Sequence, residues 1–289
     1  MSIGVGLAVV LACGGGDSGK EGIFFLENLV YVSKTGGPQE LYLRRSPNGE
    51  ISQVTRNVFN DFDPAMSRDG SRVAFASDRS GDIEIFNSKL DGSNALKLTN
   101  TPGRDHSPTW SPNGKVILFV REVGGVNLLM RMNADGTNQS MLIPDEGTEP
   151  CYNRSGTKIA FISDRTGNKE VWTCDPNGSN QVQLTFTTGD ESNPSWNPTG
   201  AEICYAYDNG VDPAIYRMNA DGTNARVFID TPGKVDAGPL WGADGRFIAF
   251  YTESFVGAQD GQIVVVEVDG KGRDQVTSGS GGNVQPAIK

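Results

Sequence analysis

The sequence predicts an all-β protein built from six repeated sheet modules, and two observations carry this prediction. Glycine-containing turn dipeptides recur at two fixed places in a period, and a proline recurs three residues after a small, polar or acidic residue. Successive prolines are 44, 42, 44, 45 and 47 residues apart. The pairs are Asp61 and Pro64, Asp105 and Pro108, Gly147 and Pro150, Glu191 and Pro194, Asp236 and Pro239, and Asn283 and Pro286. Such a period is typical of a repeat architecture rather than of an enzyme core with one active site.

Each period predicts four short antiparallel strands. In the module that begins near Pro64, further apolar runs occupy residues 73–76, 83–86 and 96–98. Residues that tolerate positive φ separate these runs, such as Asp69-Gly70 before the second strand and Asp91-Gly92 before the fourth. Most glycines are therefore explained by backbone geometry rather than by catalysis.

The modules are predicted to form a six-bladed β-propeller. A single sheet of this size cannot bury both faces, so neighbouring sheets must stack, and closing the stack into a ring removes its ends. Residues 29–33, 40–43 and 51–55 align with the second, third and fourth strands of a module, while the last anchor can supply only a first strand. We therefore expect the N- and C-terminal segments to pair in one blade and close the ring. The alternative is that Ile23 to Leu26 forms the innermost strand of that blade.

Three segments resemble the TolB-type propeller repeat. Their sequences are HSPTWSPNG at residues 106–114, IAFISDR at 159–165 and IYRMNADG at 215–222. The resemblance extends over residues 29–289 and implies a TolB-like six-bladed β-propeller. This repeat is shared by periplasmic TolB and by the propeller domains of prolyl-oligopeptidase-like peptidases, in which a separate hydrolase domain carries out catalysis.

The N-terminal segment predicts a location in the bacterial cell envelope. Residues 3–12 form an apolar run of the length of a signal-peptide core, which ends in the lipobox-like sequence Val10-Leu11-Ala12-Cys13. We assign residues 1–22 to a signal and a glycine-rich tether, and residues 23–289 to the propeller. Cys13 is then the lipidated residue of a periplasmic lipoprotein that touches the membrane only through its lipid. An ordinary secreted signal peptide is the alternative.

The composition argues against several classes of function. A formal net charge of −10 and a pI near 4.7 argue against a nucleic-acid or anionic-membrane surface, which needs clustered basic residues. His106 is the single histidine, and no Gly-x-Ser-x-Gly elbow lies between a strand and a helix, so no catalytic constellation is evident. Cys151, Cys174 and Cys204 form no Cys-x-x-Cys pair, which leaves either buried thiols or one unassigned disulfide.

An acidic ring is the candidate binding site. In an up-and-down blade, the inter-blade connections and the connections between second and third strands lie on one side, here called the loop side. The glycine turns lie on the opposite turn side. Around the channel mouth on the loop side, we expect the candidate binding residues Asp61, Asp63, Asp105, His106, Glu149, Glu191 and Asp236. The structural alternative is that these acids accept hydrogen bonds in tight turns and pair with arginines of Ser-Asp-Arg segments.

These observations predict a monomeric, non-catalytic envelope propeller without a cofactor, which binds a protein or peptidoglycan-associated partner through the acidic loop side. One alternative is an enzyme, or a cation-dependent propeller that binds a sugar, peptide or small molecule, with Ca²⁺ held by carboxylates at the channel mouth. Another is an accessory module that recruits substrates to a separately encoded hydrolase.

Overall fold

The structure, a computed structural model, describes residues 10–11, 28–33, 37–45, 50–254, 261–275, 277–278 and 285–286. These residues form six four-stranded antiparallel sheets, which confirms the predicted propeller. The first strands of neighbouring sheets contact one another and surround the central channel. Within the described ranges, no helix has the length and apolar character needed to cross a membrane.

The strands of each blade follow one another in chain order from the innermost to the outermost. Their bounds are, in blade 1, β1 (Val10–Leu11), β2 (Asn28–Ser33), β3 (Glu40–Arg45) and β4 (Ile51–Gln53); in blade 2, β5 (Asp61–Met66), β6 (Arg72–Ser77), β7 (Glu84–Lys89) and β8 (Leu96–Lys97); in blade 3, β9 (Arg104–Trp110), β10 (Val116–Val123), β11 (Val126–Asn133) and β12 (Ser140–Glu146); in blade 4, β13 (Thr148–Tyr152), β14 (Ile159–Ser163), β15 (Glu170–Cys174) and β16 (Val182–Gln183); in blade 5, β17 (Asp190–Trp196), β18 (Glu202–Asp208), β19 (Ala214–Asn219) and β20 (Arg226–Ile229); and in blade 6, β21 (Lys234–Trp241), β22 (Phe247–Ser254), β23 (Gln262–Glu267) and β24 (Asp274–Gln275). A separate hairpin joins β25 (Thr277–Ser278) to β26 (Gln285–Pro286).

The ring closes differently from the sequence prediction. The innermost strand of blade 1 is β1, which pairs with β2 and also contacts β5 and β21. The expected pairing of the C-terminal segment in this blade is wrong, because β1 occupies the inner edge of β2 and β26 pairs with β25 instead. The alternative strand at Ile23 to Leu26 lies outside the described residues, as does Cys13. β1 falls within the segment assigned to the signal, so cleavage before Cys13 would remove it; the domain boundary and the lipidation stay predictions.

Apolar cores lie between the blades, as the stacking argument requires. Side chains of β6 alternate between two neighbours: Phe75 packs against blade 1, whereas Ala74 and Ala76 pack against blade 3. The seam between blades 1 and 6 is filled in the same way, by Leu29 and Tyr31 of β2 together with side chains of β22 and β23. Each sheet is therefore buried on both faces.

Four glycines in the turns between third and fourth strands bring neighbouring blades into close contact. A Cβ atom at Gly92 would lie 2.0 Å from the carbonyl oxygen of Val54, and one at Gly178 would lie 2.1 Å from that of Leu142. The four glycines, here called the docking glycines, are Gly92, Gly136, Gly178 and Gly222. Each meets a carbonyl of the preceding blade, so these positions exclude a side chain on steric grounds as well as through their positive φ.

Candidate functional site

A bulge interrupts the innermost strand of each of blades 2 to 6. The register shifts just before the repeated proline in β5, β9, β13, β17 and β21. The residue preceding that proline adopts a left-handed conformation, with φ between 48° and 59°, at Asp63, Ser107, Glu149, Asn193 and Gly238. Bulges and left-handed residues are over-represented at functional sites, where they redirect a side chain. Here the same strained position recurs around the channel.

Two of these left-handed residues link neighbouring blades through their carboxylates. Asp63 accepts hydrogen bonds from the backbone N–H of Ser107 at 3.1 Å and from its hydroxyl at 3.2 Å. Glu149 accepts a hydrogen bond from the backbone N–H of Asn193. In both pairs the donor lies 44 residues later, at the equivalent position of the next blade. These carboxylate bridges hold blade 2 to blade 3 and blade 4 to blade 5.

Burial in the channel shifts the pKa of each of its titratable groups in the direction that favours the neutral form. Burial raises the pKa of Asp63 above its ordinary value, although nearby His106 opposes this effect. Burial also raises the pKa of Glu149, against the opposing effect of the Asn193 N–H. The pKa of His106 is lowered by burial despite Asp63, whose Oδ2 lies 4.0 Å from Nδ1. The side chains of His106 and Asp63 stay 22% and 17% exposed, so a ligand can reach them.

The expectation that Asp61 and Asp105 line the mouth is wrong, because both are buried and paired with arginine. Arg79 contacts both oxygens of Asp61 at 2.7 Å. Arg121 binds Asp105 in the bidentate manner, with both hydrogen bonds at 2.8 Å. For Asp61 and Asp105, the structure therefore shows the alternative in which the acid pairs with an arginine.

The same correction applies to Glu191 and Asp236, which are fully buried and have no arginine partner among the residues that the structure describes. Asp236 accepts a hydrogen bond from the backbone N–H of Thr231 at 2.8 Å. Glu191 accepts one from the Thr187 hydroxyl at 2.9 Å, and burial together with Glu170 raises its pKa to about 8. In blade 4, Gly147 takes the place of the acid. Of the seven candidate residues, only Asp63, His106 and Glu149 are therefore partly exposed at the channel.

The structure does not assemble the candidate acids into a ligand set for a metal. Among the described residues, no group of three or more His, Cys, Asp or Glu side chains is arranged to hold a metal ion. Asp63 and Glu149 are already engaged with backbone N–H groups. Ca²⁺ at the channel mouth stays a prediction.

The three cysteines of the propeller are free thiols, so the possible disulfide among them is not formed. Burial raises the pKa of Cys151 to about 12 and that of Cys174 to about 11. Cys204 is fully buried, as its place among small side chains of second strands predicts. Such thiols are structural rather than reactive, because the thiolate is the nucleophilic form.

Sequence reasoning missed a group of arginines on the turn side. Arg68 of blade 2 reaches blade 4, and Arg154 of blade 4 reaches blade 6, in each case to a backbone carbonyl. A pocket of about 390 Å³ lies beside them, between blades 3 and 4. The available signal was an arginine at the same turn position in two modules, Ser67-Arg68-Asp69-Gly70 and Asn153-Arg154-Ser155-Gly156.

Comparison with known proteins identifies relatives over most of the chain. The family model described as "TolB beta propeller domain" matches residues 26–146 and 147–288. "Protein TolB homolog" of Chlorobium luteolum is 31% identical over 155 residues, which cover 52% of this chain and 35% of that protein. "Tol-Pal system protein TolB" of Francisella tularensis subsp. holarctica is 23% identical over 279 residues, which cover 92% of this chain and 63% of that protein.

A solved structure shows the same fold. The crystal structure of TolB from Acinetobacter baumannii superposes with a TM-score of 0.78 at 19% identity, over 90% of this chain and 65% of that one. The chain thus spans about a third of the Chlorobium relative and somewhat less than two thirds of the other two proteins.

Proposed function

Because the chain belongs to the TolB β-propeller family, we propose that it is a non-catalytic binding protein of the bacterial cell envelope. Its partner is a protein or a peptidoglycan-associated molecule that approaches the central channel from the loop side. The similarity to the Francisella protein, which is named as a Tol-Pal system protein, supports a place in the envelope. The proposed location is the periplasmic side of the envelope, where a lipid on Cys13 anchors the protein. Secretion is the alternative.

The observation that carries this proposal is the bulged inner-strand position that displays Asp63 and Glu149 in the channel. Each carboxylate is fixed by a donor from the next blade, so neither has to be ordered when a partner arrives. Together with His106 they offer acceptors and one titratable ring to a peptide segment that presents N–H donors or a basic side chain. The strain at these positions is maintained by the surrounding ring, as expected where backbone geometry serves recognition.

The proposal is tested with the double variant Asp63→Asn, Glu149→Gln, which keeps a hydrogen-bond acceptor at both positions and removes both charges. Purified full-length protein is used to recover partners from envelope extracts and to co-sediment with isolated peptidoglycan. We expect the double variant to lose at least tenfold in recovery of the partner that the unaltered protein enriches.

The control is Asp91→Asn, Asp135→Asn, which removes two exposed charges on the turn side. Asn177 holds the equivalent turn position in blade 4, so the substitution is compatible with the fold. The control should recover the partner like the unaltered protein. If both double variants recover the partner equally well, the channel is not the site that binds it. Labelling of the full chain with an alkyne fatty acid, compared with Cys13→Ala, tests the anchor separately.

A further inference from the structure

The innermost strand of blade 1 is built from residues that the predicted N-terminal signal also uses. β1 consists of Val10 and Leu11, the first two residues of the lipobox-like sequence that ends at Cys13. Processing at this signal hydrolyses the peptide bond between Ala12 and Cys13, so β1 leaves with the signal. The inner edge of β2 then loses the strand with which it pairs.

The position that β1 occupies, here called the first-strand position of blade 1, lies in the channel wall between β5 and β21. The corresponding positions of blades 2 to 6 are filled by strands of five to eight residues, whereas β1 has two. An empty position is costly, because backbone N–H and C=O groups at the edge of β2 would lose their hydrogen bonds. β2 has six residues, so the position can accept a strand longer than β1.

The sixth proline anchor, Asn283 and Pro286, lies where a first strand is expected along the chain. Blades 1, 2, 4 and 6 have fourth strands of two or three residues. In blades 1, 2 and 4, eight positions separate the last residue of that strand from the anchor residue of the next blade: Gln53 and Asp61, Lys97 and Asp105, Gln183 and Glu191. In blade 6, eight positions separate Gln275 from Asn283. The blade after blade 6 is blade 1, so this spacing directs the segment to the first-strand position of blade 1.

Blade 2 shows which residue of a first strand pairs at each position of the second strand. The residue directly after Pro64 is Ala65, and it pairs with Ala74. Val30 of β2 corresponds to Ala74, because each lies three residues before the serine that ends its strand. A first strand in blade 1 should therefore place the residue after its proline opposite Val30.

In the structure, Val10 of β1 lies opposite Val30, so β1 takes the place of the residue after the proline. In the sixth anchor that residue is Ala287, and Ile288 follows it. The second residue after the proline is large in blades 2 to 6 and packs in the core shared with the preceding blade: Met66, Trp110, Tyr152, Trp196 and Trp241. Ile288 would fill the equivalent place between blades 6 and 1.

β26, which contains Pro286, lies in a two-stranded hairpin with β25, and β25 contacts blade 6. The hairpin pairs at two positions, Pro286 with Thr277 and Gln285 with Ser278. A hairpin of this size is marginally stable in water, whereas an innermost strand pairs along its length and contacts the neighbouring blades. Removal of β1 therefore offers the segment a more stable place than the hairpin.

We propose that processing before Cys13 is followed by a strand exchange, in which the segment that carries β26 leaves β25 and takes the first-strand position of blade 1. In the chain that retains β1 this position is occupied, and β26 stays with β25. The proposal rests on the lipoprotein signal of the proposed function and concerns the processed chain. β1 is then a temporary strand, and the C-terminal segment closes the ring of the processed protein. The exchange also brings Gln285 to the channel, because it precedes the proline as Asp63 does.

The test uses the full chain, residues 1–289, and the processed chain, residues 13–289, both with Cys13→Ser so that no lipid is attached. Hydrogen exchange of backbone amides is followed by mass spectrometry in peptides that cover β2 and β25. We expect β2 to be protected to a similar degree in both chains, and β25 to exchange at least about tenfold faster in the processed chain. Because both chains are expressed directly, the result does not depend on processing in the cell, which fatty acid labelling of Cys13 tests separately.

Ile288→Asp places a charge between blades 6 and 1 and should speed the exchange of β2 at least about tenfold in the processed chain, but not in the full chain. The matched control is Gln285→Asp, which introduces the same charge at the position where β5 carries Asp63 and should leave β2 protected in both chains. Four results would overturn the proposal: rapid exchange of β2 in the processed chain, unchanged protection of β25 on removal of residues 1–12, an equal effect of Ile288→Asp in both chains, or an equal effect of the two substitutions in the processed chain.

Discussion

The buried pair formed by Glu191 and Glu170 predicts a stability that falls as pH rises. Both side chains are almost fully buried, and the Oε2 atom of each has no hydrogen-bond donor within the described part of the chain. A proton shared between the two carboxyls would satisfy both atoms. Burial, followed by the interaction with Glu170, raises the pKa of Glu191 from 4.5 to about 8. In blades 2 and 3 the equivalent acid has an arginine partner, whereas Tyr207 stands opposite Glu191.

The sign and size of the effect follow from proton linkage. A raised pKa means that the folded state binds the proton more tightly than the unfolded state, so the stabilisation is complete below about pH 4.5 and is lost as pH rises towards 8. A pKa shift of this size corresponds to at most about 5 kcal/mol of unfolding free energy, because each pKa unit is worth about 1.4 kcal/mol. Because relaxation of the protein and water penetration reduce the cost of a buried charge, we expect a loss of about 2 to 3 kcal/mol between pH 5 and pH 8.5.

Glu191→Gln should remove this loss, because the amide supplies a donor to Glu170 without a titrating proton. The free energy of unfolding is measured by urea titration with tryptophan fluorescence at pH 5 and pH 8.5. We expect the variant to match the unaltered protein at pH 5 and to exceed it by about 2 kcal/mol at pH 8.5. The control is Asp221→Asn, whose carboxyl has a lowered pKa and is ionised throughout this range, so the slope should not change. The reasoning is refuted if Glu191→Gln keeps the pH dependence of the unaltered protein.

Two further predictions concern the stability of the ring. Arg121→Met leaves the buried carboxylate of Asp105 unpaired and should lower the free energy of unfolding in urea by about 3 to 5 kcal/mol. Adding Asp105→Asn should recover part of this loss. A loss below about 1 kcal/mol would show that the pair adds little stability. Gly178→Ala and Gly270→Ala start from similar φ values of 85° and 81°, but only the first new Cβ meets a carbonyl oxygen, that of Leu142 at 2.1 Å. We expect Gly270→Ala to lower stability by about 1 kcal/mol and Gly178→Ala by at least about 2 kcal/mol more, and equal thermal unfolding shifts would argue against close docking of the blades.

The period and the turn glycines were sufficient to predict the blades, because both signals are local and repeat in every module. Ring closure was not predictable from the same signals. The short strand β1 lies within an apolar run that also fits a signal peptide, and hydrophobic pattern alone does not separate these two roles.

The position of the candidate acids in the innermost strands was predictable from the sequence, but their exposure was not. Asp61 and Asp63 lie two residues apart, so in a regular strand their side chains would share one face. The bulge before Pro64 and the left-handed conformation of Asp63 separate them: Asp61 pairs with Arg79 inside the blade, whereas Asp63 meets the next blade in the channel. The contacts of Arg68 and Arg154 were beyond sequence reasoning because they join alternate blades.

The docking glycines give the four seams from blade 1 to blade 5 a direction. Blades 2, 3 and 4 each present a glycine turn on one flank and a receiving carbonyl on the other, so their association is head to tail and has no internal two-fold symmetry. Head-to-tail units either close into a circle or grow into a filament. A fragment made of blades 2 to 4 would keep one unused flank of each kind. Two complementary fragments should therefore rebuild the circle, and a single fragment at high concentration should polymerise.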